Sequence, residues 1–158
     1  MSRICAIVVL AGLWPQLASA APRYIGPWFV EQTVDRITGQ VVSTAGQNST
    51  TLGITFTCFD GGLTLGVWRA EGSLGLEIAR KVTVAVQVDA LPAMTLVGVG
   101  TRRNLAEFEQ AERVAQQFLA GRQAQVVFAD RDGREVGEIF RLDNTAIAFS
   151  ALGGCPIR

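Results

Sequence analysis

The sequence contains no histidine and a single lysine, and these scarcities exclude several classes of function. Without imidazole, the chain cannot build a Ser-His-Asp triad, a histidine-ligated metal site or a histidine pH switch. Its 14 basic and 14 acidic residues cancel, so no net charge favours a nucleic acid as partner. Charged residues are also scarce, at 18% of the chain, whereas 49% of the residues are hydrophobic. This balance is typical of a globular domain and excludes a disordered chain.

The sequence also lacks an apolar run long enough to span a bilayer, which requires about 20 residues. Residues 4–13 are apolar, follow the basic Arg3 and precede a small-x-small sequence that ends at Ala20. These are the three parts of a secretory signal peptide. We therefore predict cleavage after Ala20 and one exported domain in residues 21–158. We expect that domain in the periplasm or outside the cell, with no stable membrane span.

Two cysteines remain in the predicted mature segment, Cys58 and Cys155. An even number of cysteines in an exported domain indicates a disulfide, and two cysteines allow one pairing. The closed loop of about a hundred residues would stabilise the fold by roughly 4–5 kcal/mol in the chain-entropy model. Two buried free thiols are the alternative. Two cysteines without histidine cannot complete a zinc site, and we predict no metal and no cofactor.

Apolar residues alternate with polar ones along most of the mature segment, as in half-buried strands. The pattern is clearest in residues 82–88, where four valines alternate with Thr83, Ala85 and Gln87. Similar strand patterns occupy residues 28–34, 40–44, 52–58, 63–68, 94–99, 125–129 and 135–142. Because short turns separate these segments, we expect antiparallel pairing rather than β-α-β crossovers.

Helical spacing replaces this alternation in residues 105–120, between a candidate cap at Asn104 and a stop at Gly121. A short last helix is expected at residues 144–153. The predicted fold class is therefore α+β. It combines a mostly antiparallel twisted sheet or sandwich with one long helix, one short C-terminal helix and one disulfide.

Five residues mark the mature segment in order: a tryptophan that opens a strand, a cysteine in a strand, a tryptophan that ends one, an aspartate in a V-x-V-D-x-x-P turn, and a final cysteine. They are Trp28, Cys58, Trp68, Asp89 and Cys155. This order resembles the periplasmic type VI secretion-associated proteins of the TagO/VasI kind. The second half is also similar to the invasion-associated locus B family of exported bacterial proteins. The resemblance implies structural roles for the five residues and an accessory role in the cell envelope.

Two pairs of residues are candidates for binding. Arg102 and Arg103 precede the predicted long helix, whose N-terminal N–H groups would favour an anion. Two solvated arginines are the simpler interpretation. Trp28 and Trp68 fit core positions, but either would form a binding surface if it were exposed.

We therefore expect a non-enzymatic accessory or interaction protein of the bacterial envelope, associated with a secretion machine and partnered by an envelope protein. One alternative is an inhibitor or binder of a cell-wall-active enzyme, which would act through loops 46–51 and 71–75. A more remote one is a small glycan hydrolase that uses Asp60, Asp89 and Asp130, although turn chemistry explains these carboxylates more simply.

Overall fold

The chain forms ten strands and two short helices in a computed structural model that describes residues 21–69, 76–129, 134–155 and 157. The strands are β1 (Arg23–Ile25), β2 (Trp28–Val34), β3 (Val41–Asn48), β4 (Leu52–Phe59), β5 (Gly62–Arg69), β6 (Lys81–Val88), β7 (Met94–Arg102), β8 (Leu105–Phe108), β9 (Gln123–Ala129) and β10 (Glu135–Arg141). The helices are α1 (Ala111–Ala120) and α2 (Thr145–Ser150). None of the helices in these described ranges is long and apolar enough to cross a membrane.

All ten strands pair antiparallel in one sheet, in the order β1-β2-β3-β4-β5-β8-β7-β6-β9-β10. Neighbours in sequence are mostly neighbours in the sheet, because tight turns join them. Asp35 begins the β2–β3 turn and accepts the backbone N–H groups of Ile37 and Thr38. Asp60 and Gly61 both adopt positive φ angles between β4 and β5, as a two-residue hairpin requires. The predicted antiparallel strands are confirmed.

Apolar and polar residues alternate along the strands, so the apolar side chains form the core on one face of the sheet. In β4, Ile54, Phe56 and Cys58 are buried, whereas the threonines between them point to the other face. Both helices pack on the buried face. Phe118 of α1 and Phe149 of α2 contact the ring of Phe56, with centroids 5.4 Å and 4.8 Å away. Burial of these large rings supplies much of the driving force for folding.

The predicted α+β class with a long helix at residues 105–120 is wrong, because the structure is mostly an antiparallel sheet with two short helices. Residues 105–108 form β8, which pairs with β5 on one side and β7 on the other. Ala106 and Phe108 are fully buried and alternate with Leu105 and Glu107, which fits a strand. Only the last 10 residues of the predicted helix are helical. This helix, α1, ends at Ala120, directly before the expected Gly121. Spacing alone could not separate these two structures, since Leu105 and Phe108 also lie three apart, as on a helix.

The short C-terminal helix exists, but it has 6 residues instead of the predicted span 144–153. Asn144 precedes it in a left-handed conformation and makes no side-chain cap hydrogen bond. The polar loop predicted at residues 46–51 is shorter as well, because residues 46–48 complete β3. The other predicted loop, 71–75, lies outside the described residues, as do residues 1–20.

The sheet curls until its last strand meets the β3–β4 hairpin. Gln47, which is 4% exposed, donates from Nε2 to the carbonyl oxygen of Arg141 over 2.7 Å. The hydroxyl of Ser49 donates to the carboxylate of Glu138 on β10. These side chains cover part of the free edge of β10, which would otherwise be available for pairing with another chain.

Candidate functional site

The predicted disulfide between Cys58 and Cys155 is confirmed. It joins the buried face of β4 to the tail that follows α2, with Cα atoms 5.8 Å apart and a sequence separation of 97 residues. Cys58 is 3% exposed, and Cys155 and Ile157 pack against the core from the tail. The bond therefore holds the last residues of the chain against the sheet.

An open apolar groove of about 490 Å³ lies beside this tail. Its walls include Leu119 at the end of α1, Phe149 of α2, and the tail residues Cys155 and Ile157. The disulfide thus fixes one wall of the groove in place. The described residues bring no group of three or more metal-ligating side chains together, here or elsewhere.

Trp28, one of the two candidate surface tryptophans, is fully buried. Its ring contacts Phe149, Phe56 and Phe118, with centroids 5.2, 6.4 and 6.5 Å away. Its indole N–H has no hydrogen-bond partner within the described part of the chain. Trp28 is a core residue and contributes nothing to the binding surface.

Trp68, the second candidate, lies half-buried on the outer face of the sheet. It pairs with Gly53 of β4 and with Leu105 of β8. A Cβ atom at Gly53 would lie only 2.2 Å from Cε2 of the indole, so the ring rests directly on the glycine backbone. Glycine is the residue that permits this approach. The indole is thereby held against the sheet, and the Trp68 side chain as a whole is partly exposed.

The register of the next strand places Arg102 in the same row, opposite Leu105. A bulge between Gly100 and Arg102 makes this possible. Without the extra residue, regular pairing would place Thr101 opposite Leu105 and turn Arg102 to the core face. We call Gly53, Trp68, Leu105 and Arg102 the Trp68 platform.

Further charged residues surround the Trp68 platform at this end of the sheet. Lys81 of β6 and Glu107 of β8 both pair with Val99 of β7, so they share the outer face. Arg80 forms an ion pair with Glu77 at 3.1 Å. The side chain of Arg102 forms no ion pair or hydrogen bond within the described ranges.

The expected helix N-terminus behind Arg102 and Arg103 is absent, because both arginines lie where β7 turns into β8. The carbonyl oxygen of Arg103 accepts the N–H of Leu76. Both arginines are exposed, but α1 begins eight residues after Arg103 and supplies no N–H groups to an anion there. What the structure brings together is Arg102 with Trp68, two residues that the sequence analysis treated separately.

The carboxylates considered for glycan hydrolysis lie in separate turns with different partners. Asp89 adopts a positive φ and accepts the N–H groups of Arg122 and Gln123 at 3.0 and 3.1 Å. These bonds join the turn after β6 to the start of β9. Asp60 accepts a hydrogen bond from Gln40. Asp130, the third of these carboxylates, lies outside the described residues.

Two other carboxylates have shifted pKa values, and both serve local structure. The hydrogen bond from Ser49 lowers the pKa of Glu138, and the N–H of Ile139 adds to this effect against the opposing influence of burial. The N–H and hydroxyl groups of Thr38 lower the pKa of Asp35 in the β2–β3 turn. In both cases hydrogen bonds to the charged form favour ionisation.

No family model matches the chain, and no curated protein matches its sequence. The fold is similar to that of invasion-associated protein B from Bartonella henselae. The two structures align with a TM-score of 0.60 at 11% sequence identity, over 84% of this chain and 95% of that one. At this identity the likeness shows the fold alone. It extends the similarity expected for the second half to most of the chain, whereas the resemblance to the TagO/VasI kind of protein is not supported.

The sequence analysis missed three parts of the Trp68 platform. Gly53 looked like an ordinary member of an alternating strand, and Leu105 was assigned to a helix. The bulge was missed because the predicted strand ended at residue 99, whereas the bulge lies between Gly100 and Arg102. A glycine opposite a tryptophan in the predicted hairpin was the one available signal, since strand glycines often mark a close approach.

Proposed function

We propose that this chain is an exported, non-enzymatic binding protein of the bacterial cell envelope, which acts as an accessory to a larger assembly such as a secretion machine. The observation that carries this proposal is the disulfide between β4 and the tail. Disulfides persist in oxidising compartments such as the bacterial periplasm and are rare in the cytosol. The signal pattern that ends at Ala20 supports the same compartment.

The sheet supports a binding role, because its strands hold Trp68 and Arg102 in one row of the outer face, on either side of Leu105. Tryptophan and arginine are the residues most enriched among energetically important interface positions. A site on regular strands is also better ordered than one on loops, so little conformational freedom is lost when a partner binds.

Crosslinking in living cells tests this function. A photoreactive amino acid would replace Lys81, which is exposed beside the Trp68 platform, and in a control it would replace Arg36, in the β2–β3 turn. We expect covalent capture of components of one envelope assembly from position 81 and not from position 36. The mature protein should be found in the periplasm or medium, and mass spectrometry should show that it begins at Ala21.

Three results would contradict the proposal. Retention of residues 1–20 in a cytosolic protein would refute export. Equal labelling from both positions would refute a defined binding face. Capture of a single soluble wall enzyme would replace the accessory role with the alternative one, an inhibitor or binder of that enzyme.

A further inference from the structure

We propose that the Trp68 platform binds an acidic polysaccharide, with a sugar ring stacked on the indole of Trp68 and a carboxylate of the same glycan paired with Arg102. This inference deepens the binding role proposed above and rests on it for the choice of face, because it assigns a glycan to the outer face that holds the Trp68 platform. The titration below uses purified protein, so its failure is distinguishable from a failure of the crosslinking in cells, which tests capture of a protein partner.

The stacking half of the site depends on how the indole lies. Because Trp68 rests on Gly53, its indole is held in contact with the sheet, and the side chain stays partly exposed on the outer face. Aromatic faces are electron-rich, and the C–H groups on one side of a sugar ring carry partial positive charge, so the two surfaces attract. A flat ring fixed in this way needs no rearrangement before a sugar binds.

A second ring lies on the same face in the same manner. Phe29 of β2 packs on Gly46 of β3, where an added Cβ would lie 2.6 Å from the phenylalanine Cζ. Gly46 and Gly53 lie on adjacent strands, two residues out of register, so they are about 8 Å apart by standard sheet geometry. Two aromatic side chains that pack on glycines at this spacing can contact successive parts of one extended glycan, which favours a chain of sugars over a single one.

The charged half of the site selects an acidic chain. The bulge before Arg102 turns its guanidinium to the indole side, and that planar group matches a carboxylate with paired N–H donors. Lys81 adds a second positive charge on the same face. Glu107 of β8 lies across β7 from Lys81 and offers an acceptor for sugar hydroxyls. This charge complementarity favours a carboxylate-bearing glycan over a neutral one.

The test compares two soluble oligosaccharides of equal length with the mature chain, residues 21–158. The acidic probe is a hyaluronan hexasaccharide, which carries a carboxylate on alternate sugars, and the neutral probe is chitohexaose. Titration at low salt should give a dissociation constant about tenfold lower for the acidic probe, and this preference should shrink as ionic strength rises. The emission of Trp68 should change on binding, whereas the buried Trp28 should not respond.

Two variants separate the two halves of the site. Arg102→Gln should abolish the preference for the acidic probe and leave binding of the neutral probe unchanged. Trp68→Ala should weaken both probes by about tenfold, the effect expected of an interface anchor. Arg36→Gln and Tyr24→Ala are matched controls, since they remove a charge and an exposed aromatic ring elsewhere and should change neither affinity.

Several outcomes would overturn the inference. Equal affinity of the wild-type protein for both probes, or an acidic preference that survives Arg102→Gln, would remove the role of Arg102. If Trp68→Ala has a native melting curve and binds both probes as tightly as the wild-type protein, Trp68 does not stack on a sugar. Binding to vesicles of anionic phospholipid that depends on Arg102 but not on Trp68 would identify a lipid phosphate instead. Arg102 is exposed, so its variant remains informative even if Trp68→Ala fails to fold.

Discussion

Reduction of the Cys58–Cys155 bond should cost more stability than any other single chemical change to this protein. The bond closes a loop with a sequence separation of 97 residues. A crosslink of this span removes about 4.7 kcal/mol of chain entropy from the unfolded state at 25 °C. Typical domains are stable by about 5–15 kcal/mol in total, so the reduced protein should be only marginally folded.

Urea unfolding of the oxidised and dithiol-reduced protein measures this difference directly. We expect the free energy of unfolding to fall by about 4.7 kcal/mol and the melting temperature to fall by roughly 15 °C. The double variant Cys58→Ala/Cys155→Ala should resemble the reduced protein and should not respond to reductant. A loss below about 1 kcal/mol on reduction would refute the reasoning, because the closed loop would then not limit the unfolded chain.

Three further changes test individual contacts. Asp89→Ala should destabilise the fold by about 2 kcal/mol in urea unfolding, because two backbone N–H groups at the start of β9 lose a charged acceptor; Asp89→Asn, which keeps an acceptor oxygen, should cost less. Gly53→Ala should lower the free energy of unfolding by about 1–3 kcal/mol, because the added methyl group meets the indole of Trp68. The fluorescence emission of Trp68 should shift to the red as the ring is pushed outward. Unchanged emission would contradict the packing described. The lowered pKa of Glu138 gives stability at neutral pH that is lost as pH falls through the folded-state pKa. Melting temperatures measured from neutral to acidic pH should therefore decline less in Glu138→Gln, and an identical decline would show that the bond from Ser49 is not formed.

Strands were predictable from this sequence because each one displays its own burial pattern. β2 and β6 alternate throughout, and the predicted span 28–34 is the observed strand. β8 was not predictable, because four residues are too few to distinguish a period of two from one of 3.6. Its conformation is decided by β5 and β7, whose facing edges would otherwise be unpaired.

The candidate site was predictable in its parts and not in their arrangement. Trp68 and Arg102 were both selected for their chemistry, but 34 positions separate them in the sequence. Their proximity follows from the insertion of β8 between β5 and β7 and from one bulged residue. Trp28 shows the opposite case, since its residue type is compatible with a core or a surface and only its packing against three phenylalanine rings decides between them.

The position of the disulfide also makes its formation a late step in folding. A chain made from its amino terminus presents Cys58 long before Cys155, and at about 5–20 residues per second the interval between them is roughly 5–20 s. Strands β1 to β5 pair in sequence order and can assemble during that interval, but their thiol has no partner until the tail has emerged and α2 has docked. Oxidation of this pair thus reports that the tail has docked on the sheet.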